Sequence, residues 1–234
     1  MRKREEARRP ENAAAAGVAE IAETACERRY PAAEPIGRLA PRKPALLLHS
    51  CCGPCCAPVI EELAREYAVT VFFYNPNITD RQEYNRRKES QIRCVDAYNE
   101  RPDRADEVAF LEGAYEENRF YEEIKGLEGE PEGGARCDQC FRLRLEKTAE
   151  TAKLMGFDCF ASALAVSPRK EYRKISEIGR DVCARYGVGF LDRDFKKKGG
   201  QQRSVLLAKQ YNLYRQTYCG CEYSARNGSE HEIR

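Results

Sequence analysis

Tryptophan is missing from the 234 residues, histidine occurs only twice, and no apolar run is long enough to cross a bilayer. Charge of one sign is missing too: 40 basic residues stand against 38 acidic, for a net of +2. That balance neither implies nor excludes a polyanionic partner, so only local clustering is informative. The sequence contains no G-x-G-x-x-G and no Walker A run, no internal repeat, and no C-x2-C-x2-C ferredoxin series. The N-terminus opens basic, but its AAAAGVAEIA segment is short and broken by Glu20, which argues against a secretory signal. These absences lead us to expect a cytoplasmic chain without a membrane partner.

What is abundant is cysteine, with 12 residues. In a reducing compartment, dense cysteine points to metal or catalysis rather than structural disulfides. Cys51, Cys52, Cys55 and Cys56 form one knot in HSCCGPCC, RCDQC supplies Cys137 and Cys140, and YCGC supplies Cys219 and Cys221. Cys159 and Cys183 stand alone and are expected as small buried hydrophobes.

Residues 1–43 are rich in Ala, Arg, Glu and Pro and read as an extension ending in the linker-like PAAEP and PRKP. From Pro44 the texture changes. ALLLHS, VTVFFYN, VAFLEG, DCFASAL and GVGFLDRDF read as strands, separated by helical segments. Thr79 or Asp80 is placed to cap the long helix that follows NPNITD, and SVLLAKQYNLYRQ is expected as a last helix. Such alternation predicts an α/β fold, a parallel sheet with helices on both faces, over 44–226, with a short tail at 227–234. Its working edge lies beyond the carboxyl ends of the strands, where HSCCGPCC follows the first strand.

Three chemistries suit the cysteines. CGPC between a strand and a helix resembles a thioredoxin dithiol, Cys52 and Cys55, whose thiol pKa a helix N-terminus lowers. Against it stand the flanking cysteines and the missing tryptophan. C-x-x-C pairs also suit a four-thiolate shell, and from spacing alone zinc and iron–sulfur stand level. A structural zinc would leave at least three clustered cysteines idle, which tilts the reading toward a reactive cluster with a second redox or metal element. A zinc-stapled RNA-binding protein remains the alternative of another class.

LLLHSCCGPCCAPVIEEL, FYNPNITDRQEYNRRKES, RCDQCFRLRLEKTAETAK, SALAVSPRKEYRKISEIG and FKKKGGQQRSVLLAKQYNLYRQTYCGCEYS, in this order, resemble the cobalamin-independent epoxyqueuosine reductases (QueH). The resemblance runs from about Leu46 to Ser224. It implies a Rossmann-like (HUP-like) domain carrying a [4Fe–4S] cluster with an adjacent iron. The implied reaction is the last step of queuosine synthesis in tRNA, in which an epoxide, two electrons and two protons become an alkene and water. An electron donor, which the sequence does not name, must supply the electrons.

The resemblance implies Cys51, Cys52, Cys137 and Cys140 as cluster ligands. Cys219 and Cys221 would be a redox-active dithiol, closing to a strained disulfide, or ligands of the second iron, with Cys55 a third candidate for that metal. An iron with an open position would also act as a Lewis acid on the epoxide oxygen. Asp138 and Tyr218 are candidate proton donors; their bland readings are a helix-start cap and a packed aromatic. His49 reads first as a structural histidine. Asn75 and Asn77 flank a turn and are candidates for contact with base or ribose. Glu83, Tyr84 and Arg87 are expected on a solvated helix face. Basic stretches with Arg169, Lys170, Arg173 and Lys174, and with Lys196, Lys197, Lys198 and Arg203, suit tRNA phosphates. Ser167 and Pro168 are expected to begin a helix and present backbone N–H groups to a phosphate. Cys56 and Arg169 are given no role shared with the family.

Overall fold

A computed structural model describes residues 42–225; all but the last two residues of the expected extension, and the whole of the expected tail, lie outside the described residues. Strands β1 (Ala45–His49), β2 (Ala68–Phe73), β3 (Ala109–Glu112), β4 (Cys159–Ser162) and β5 (Gly189–Phe190) form one parallel sheet in the order β3-β2-β1-β4-β5. Helices α1 (Gly53–Leu63), α2 (Arg81–Asn99), α3 (Glu117–Glu123), α4 (Ala135–Met155), α5 (Tyr172–Tyr186) and α6 (Gly200–Gln210) complete the α/β architecture expected from the alternation.

Leu46, Leu47 and Leu48 are all buried because β1 is central and covered on both faces. Leu46 and Leu48 meet Ile60, Val95 and Leu207 of α1, α2 and α6, whereas Leu47 meets Leu145 and Ile178 of α4 and α5. The strand order reverses direction between β1 and β4, so a crevice opens beyond their carboxyl ends. Residues 50–56 and a 3-10 turn, Ala163–Val166, emerge there.

Helix α1 begins inside the cysteine knot. Cys52 is its N-cap residue, and Pro54 sits in the first turn, where a missing N–H breaks no helical bond. Pro58 does remove one, leaving the Pro54 carbonyl without its helical donor. The Ser204 hydroxyl, from α6, donates to that carbonyl at 2.7 Å. Asp80 caps α2, its carboxylate accepting the Glu83 N–H at 2.7 Å.

Several expected elements come out shorter, DCFASAL among them, since Ala163 and Leu164 enter the 3-10 turn. β5 stops at Phe190 because Asp192, expected within it, turns to accept from the hydroxyls of Tyr172 and Ser176 and from Arg180 on α5. α6 starts earlier than expected and stops at Gln210, with Asn212 in the left-handed region at φ 50°. The remainder, YNLYRQ, therefore runs on as a strap against α2, where the Ser90 hydroxyl donates to the Tyr214 carbonyl at 3.3 Å.

A Cβ on Gly53 would lie 2.5 Å from the Ser90 carbonyl oxygen, so α1 and α2 touch through a position that only glycine fits. Gly53→Ala is expected to cost about 1–3 kcal/mol through overpacking, read by urea denaturation. An unchanged midpoint would show that the two helices separate freely.

Candidate functional site

Three distant segments bring their thiols to the β1/β4 crevice. Cys51 and Cys52 follow β1 and are buried, while Cys55, one turn into α1, is half-buried. Cys137 and Cys140 occupy the first turns of α4, and Cys219 and Cys221 lie on the strap beyond α6. Cys140 and Cys221 share a small apolar cluster with Phe120 and Leu143. Cys56 turns the other way, into the core beneath α2. All the described cysteines are free thiols. Among the described residues no three His, Cys, Asp or Glu side chains are grouped to hold one metal ion.

N–H donors reach three of these sulfurs. Lys170 Nζ lies 3.7 Å from Cys51 Sγ, Gln216 Nε2 donates to Cys52 Sγ at 3.0 Å, and the Gly133 N–H donates to Cys137 Sγ at 3.2 Å. Arg144 on α4 has no exposed surface; its Nε donates to the Cys140 carbonyl at 3.1 Å, and both terminal nitrogens lack partners. Its charge acts on Cys140, Cys219, Cys51 and Cys137 alike, so these thiols share one electrostatic neighbourhood.

Three of the thiols have pKa values raised by their surroundings. Its hydrogen bond to Cys52 and burial push Cys51 well up. Cys52 is pulled down by its bond with Cys51 but pushed further by Cys55 and burial, to about 11. Burial pushes Cys140 to about 12 against the pull of Arg144. The lowering expected from a helix N-terminus is therefore overridden at Cys52. A thioredoxin-like nucleophile needs the opposite.

Glu83, Tyr84 and Arg87 do not form the solvated face expected of them. Arg87 is fully buried and Glu83 nearly so, and their ion pair closes at 2.7 Å. Arg87 also donates through Nη1 to the Cys219 carbonyl at 2.8 Å and through Nη2 to the Tyr218 carbonyl at 3.1 Å. Its guanidinium stands 5.2 Å from the centre of the Tyr218 ring, while the Tyr214 hydroxyl donates to Glu83 at 2.8 Å. Gly220 fits beside this clamp with φ at 130° and no room for a side chain: a Cβ would lie 3.0 Å from Ile78 and 3.2 Å from Arg87 Nη1.

The other expected site residues spread out. Asp138 does not cap α4; Gly134 holds that position, and Asp138 instead receives Lys174 Nζ on both oxygens at 3.0 Å. Tyr218 is half-buried, its hydroxyl pKa raised by burial and by Glu83. His49 is fully buried; Nε2 faces the Tyr74 carbonyl at 3.1 Å, and burial with Arg144 nearby lowers its pKa to about 3. Asn75 and Asn77 are both 1% exposed; Asn75 donates to the Ser50 carbonyl at 2.9 Å, and neither Oδ1 has a partner. Both side chains lie in the interior.

Of the basic residues, Lys170 turns inward at 7% exposure to meet Cys51. Arg203 is engaged with Glu61 at 2.8 Å. Arg173 pairs with Glu177, Lys197 is exposed in the 3-10 turn Lys197–Gly199, and nothing is described of the Lys198 side chain. Ser167 and Pro168 precede the helix rather than begin it, since α5 starts at Tyr172.

Beside the thiols lies a cleft of about 420 Å³, whose lining includes Cys137, Cys219, Phe141, Lys170, Lys174 and Lys196. Arg169, also in the lining, donates to the Thr217 carbonyl at 3.0 Å. Arg144, Arg87, Lys170 and Gln216 are the site's least anticipated contributors. The only local sequence signal among them is the i,i+4 spacing of Glu83 and Arg87.

Residues 46–227 match the family model described as Epoxyqueuosine reductase QueH. Relatives bearing that name include one from Streptococcus pyogenes serotype M1, 44% identical over 79% of this chain and 71% of its own length. Another, from Staphylococcus epidermidis, is 42% identical over 78% and 77% respectively. A third, from Thermotoga maritima, is 34% identical over 76% and 89%.

Arg87→Met would release the strap and leave Glu83 buried without its cation. The expected loss is about 3–5 kcal/mol of stability, together with faster alkylation of Cys219 and Cys221 under native conditions. Unchanged alkylation would mean that the strap docks without this clamp.

Proposed function

The chain belongs to the epoxyqueuosine reductase QueH family, oxidoreductases of queuosine biosynthesis, and from that membership we propose that it reduces epoxyqueuosine to queuosine in tRNA in the cytoplasm. No helix among the described residues is long and apolar enough to cross a membrane. In this reading Cys51, Cys52, Cys137 and Cys140 hold a [4Fe–4S] cluster, and Cys219, Cys221 and Cys55 serve a second iron or a dithiol beside it.

The donor set fits such a group. The observation that carries the reading is Arg144, a buried guanidinium with two unpartnered nitrogens among thiols. A thiolate-bound cluster would bring the negative charge that this cation lacks. The four cysteines of a cubane each take their own iron, so they need not converge on one point as the ligands of a structural zinc must. Bound there, the cluster would supply electrons singly, with the neighbouring iron or dithiol holding the second that the reaction consumes.

The chain's own residues would shape the rest. The cleft has the volume of a small-molecule pocket, with Phe141 as an apolar wall and Arg169, Lys174 and Lys196 at the rim for the charged backbone of tRNA. Cys219 lines it, whereas Cys221 is buried behind and donates toward Ser224 Oγ at 3.6 Å. Substrate would therefore meet Cys219 first. Asp138, paired with Lys174 at the rim, and Tyr218, beside Cys219, are the groups from which protons would reach the departing oxygen.

Anaerobically purified protein is expected to be brown and to contain acid-labile sulfide, with iron in excess of sulfide, and to convert epoxyqueuosine tRNA. Colourless protein holding zinc and no sulfide, even after reconstitution, would favour the staple instead. Cys219→Ala is expected to keep the visible absorbance and lose turnover by at least about a hundredfold, the lower end for loss of a catalytic group. Loss of the absorbance would place Cys219 among the cluster ligands.

A further inference from the structure

Two cations are buried at the thiols with no carboxylate to balance them. Arg144 is 0% exposed and Lys170 is 7% exposed, and among the described residues neither forms an ion pair. Arg144 spends one nitrogen on a backbone carbonyl and leaves two unpartnered. Lys170 contacts only the Cys51 sulfur through its ammonium, at 3.7 Å. The two charges also repel each other. A buried charge without a partner is strongly destabilising. Other buried guanidiniums are better provided: Arg87 has Glu83 and two carbonyls, and Arg136 has the carbonyls of Glu128 and Glu130.

We infer that Arg144 and Lys170 are the built-in counter-charge of the anionic centre held by these cysteines, raising its reduction potential and favouring its retention. They lie on different elements, Arg144 within α4 and Lys170 just before α5. Lys170 reaches Cys51 directly, and Arg144 acts on Cys51, Cys137, Cys140 and Cys219. Both are positioning residues: they act on the centre rather than on substrate. Positive charge nearby favours the reduced, more negative state, and net charge is among the levers that set a cluster's potential. The inference rests on the proposed iron–sulfur reading, and its test separates the two.

Reductive titration of the visible absorbance is compared in wild type, Arg144→Gln, Arg144→Lys and Lys170→Gln. Arg144→Gln keeps a donor for the Cys140 carbonyl and drops the charge; Arg144→Lys keeps the charge. Arg144→Gln and Lys170→Gln are each expected to disfavour reduction about tenfold or more, about 59 mV for a one-electron couple. Arg144→Lys should stay near wild type. Folded Arg144→Gln that retains no iron or sulfide also supports the inference, as failed retention. An unshifted potential in both neutral variants overturns it, and so does an Arg144→Lys shift as large as that of Arg144→Gln. Should Arg144→Gln not fold, Lys170→Gln decides alone.

Absence of sulfide from reconstituted wild type would overturn the iron–sulfur reading itself. Thermal unfolding of the metal-free proteins then judges the counter-charge. Arg144→Gln melting at or above wild type supports an unbalanced cation awaiting an anion, and a clear drop overturns it.

Discussion

The site is assembled around one buried ion pair. Glu83 and Arg87 stand one turn apart near the start of α2, and between them they take a carboxylate–guanidinium bond, two strap carbonyls and the Tyr214 hydroxyl. Burying two charges is costly unless every donor is used. Here the pairing draws its last partners from residues 214–219, so the clamp is complete only when the strap lies across α2. Gly220 then passes Arg87 in a conformation that side chains avoid, which lets Cys219 and Cys221 face different surroundings two residues apart. Thr79 reinforces the dock, donating its N–H to the Gly220 carbonyl at 3.2 Å.

Much of this fold was legible. Three consecutive leucines between Ala45 and His49 could only be a strand covered on both sides, and Asp80 sat where a cap belongs. The failures have local causes. The apolar character of GVGFLDRDF extended the predicted strand, but Asp192 has a better use as the acceptor for three groups on α5. The helical pattern of YNLYRQ ignored Asn212, whose positive φ breaks the run. At the site, short cysteine spacings marked three segments correctly as places where thiols gather. Charged residues misled, because the default for Arg and Lys is solvent. Arg87 and Lys170 are exceptions whose partners lie 132 and 119 residues away, and no local pattern encodes that.

The nearly neutral composition conceals an uneven distribution. On the outside, charges are matched: Arg203 and Arg101 share Glu61, and Arg193 spans Glu62 and Glu66. Exposed pairs of this kind contribute little to stability. Around the thiols the matching is incomplete, and Arg144 and Lys170 stand without a carboxylate. An overall count averages these regions together, which is why the net charge said nothing about the centre.

The strap has a consequence for how the protein comes into being. A ribosome makes Cys51, Cys52, Cys137 and Cys140 well before Gln216 and Cys219. During that interval α1 also lacks Ser204, which later satisfies the carbonyl freed by Pro58. The growing chain thus carries these thiols with no cover, on a sheet whose outer strand β5 is added late. Long-range closures of this kind are among the slowest events in folding. The thiols therefore gain their cover only when the last segment is laid over the first.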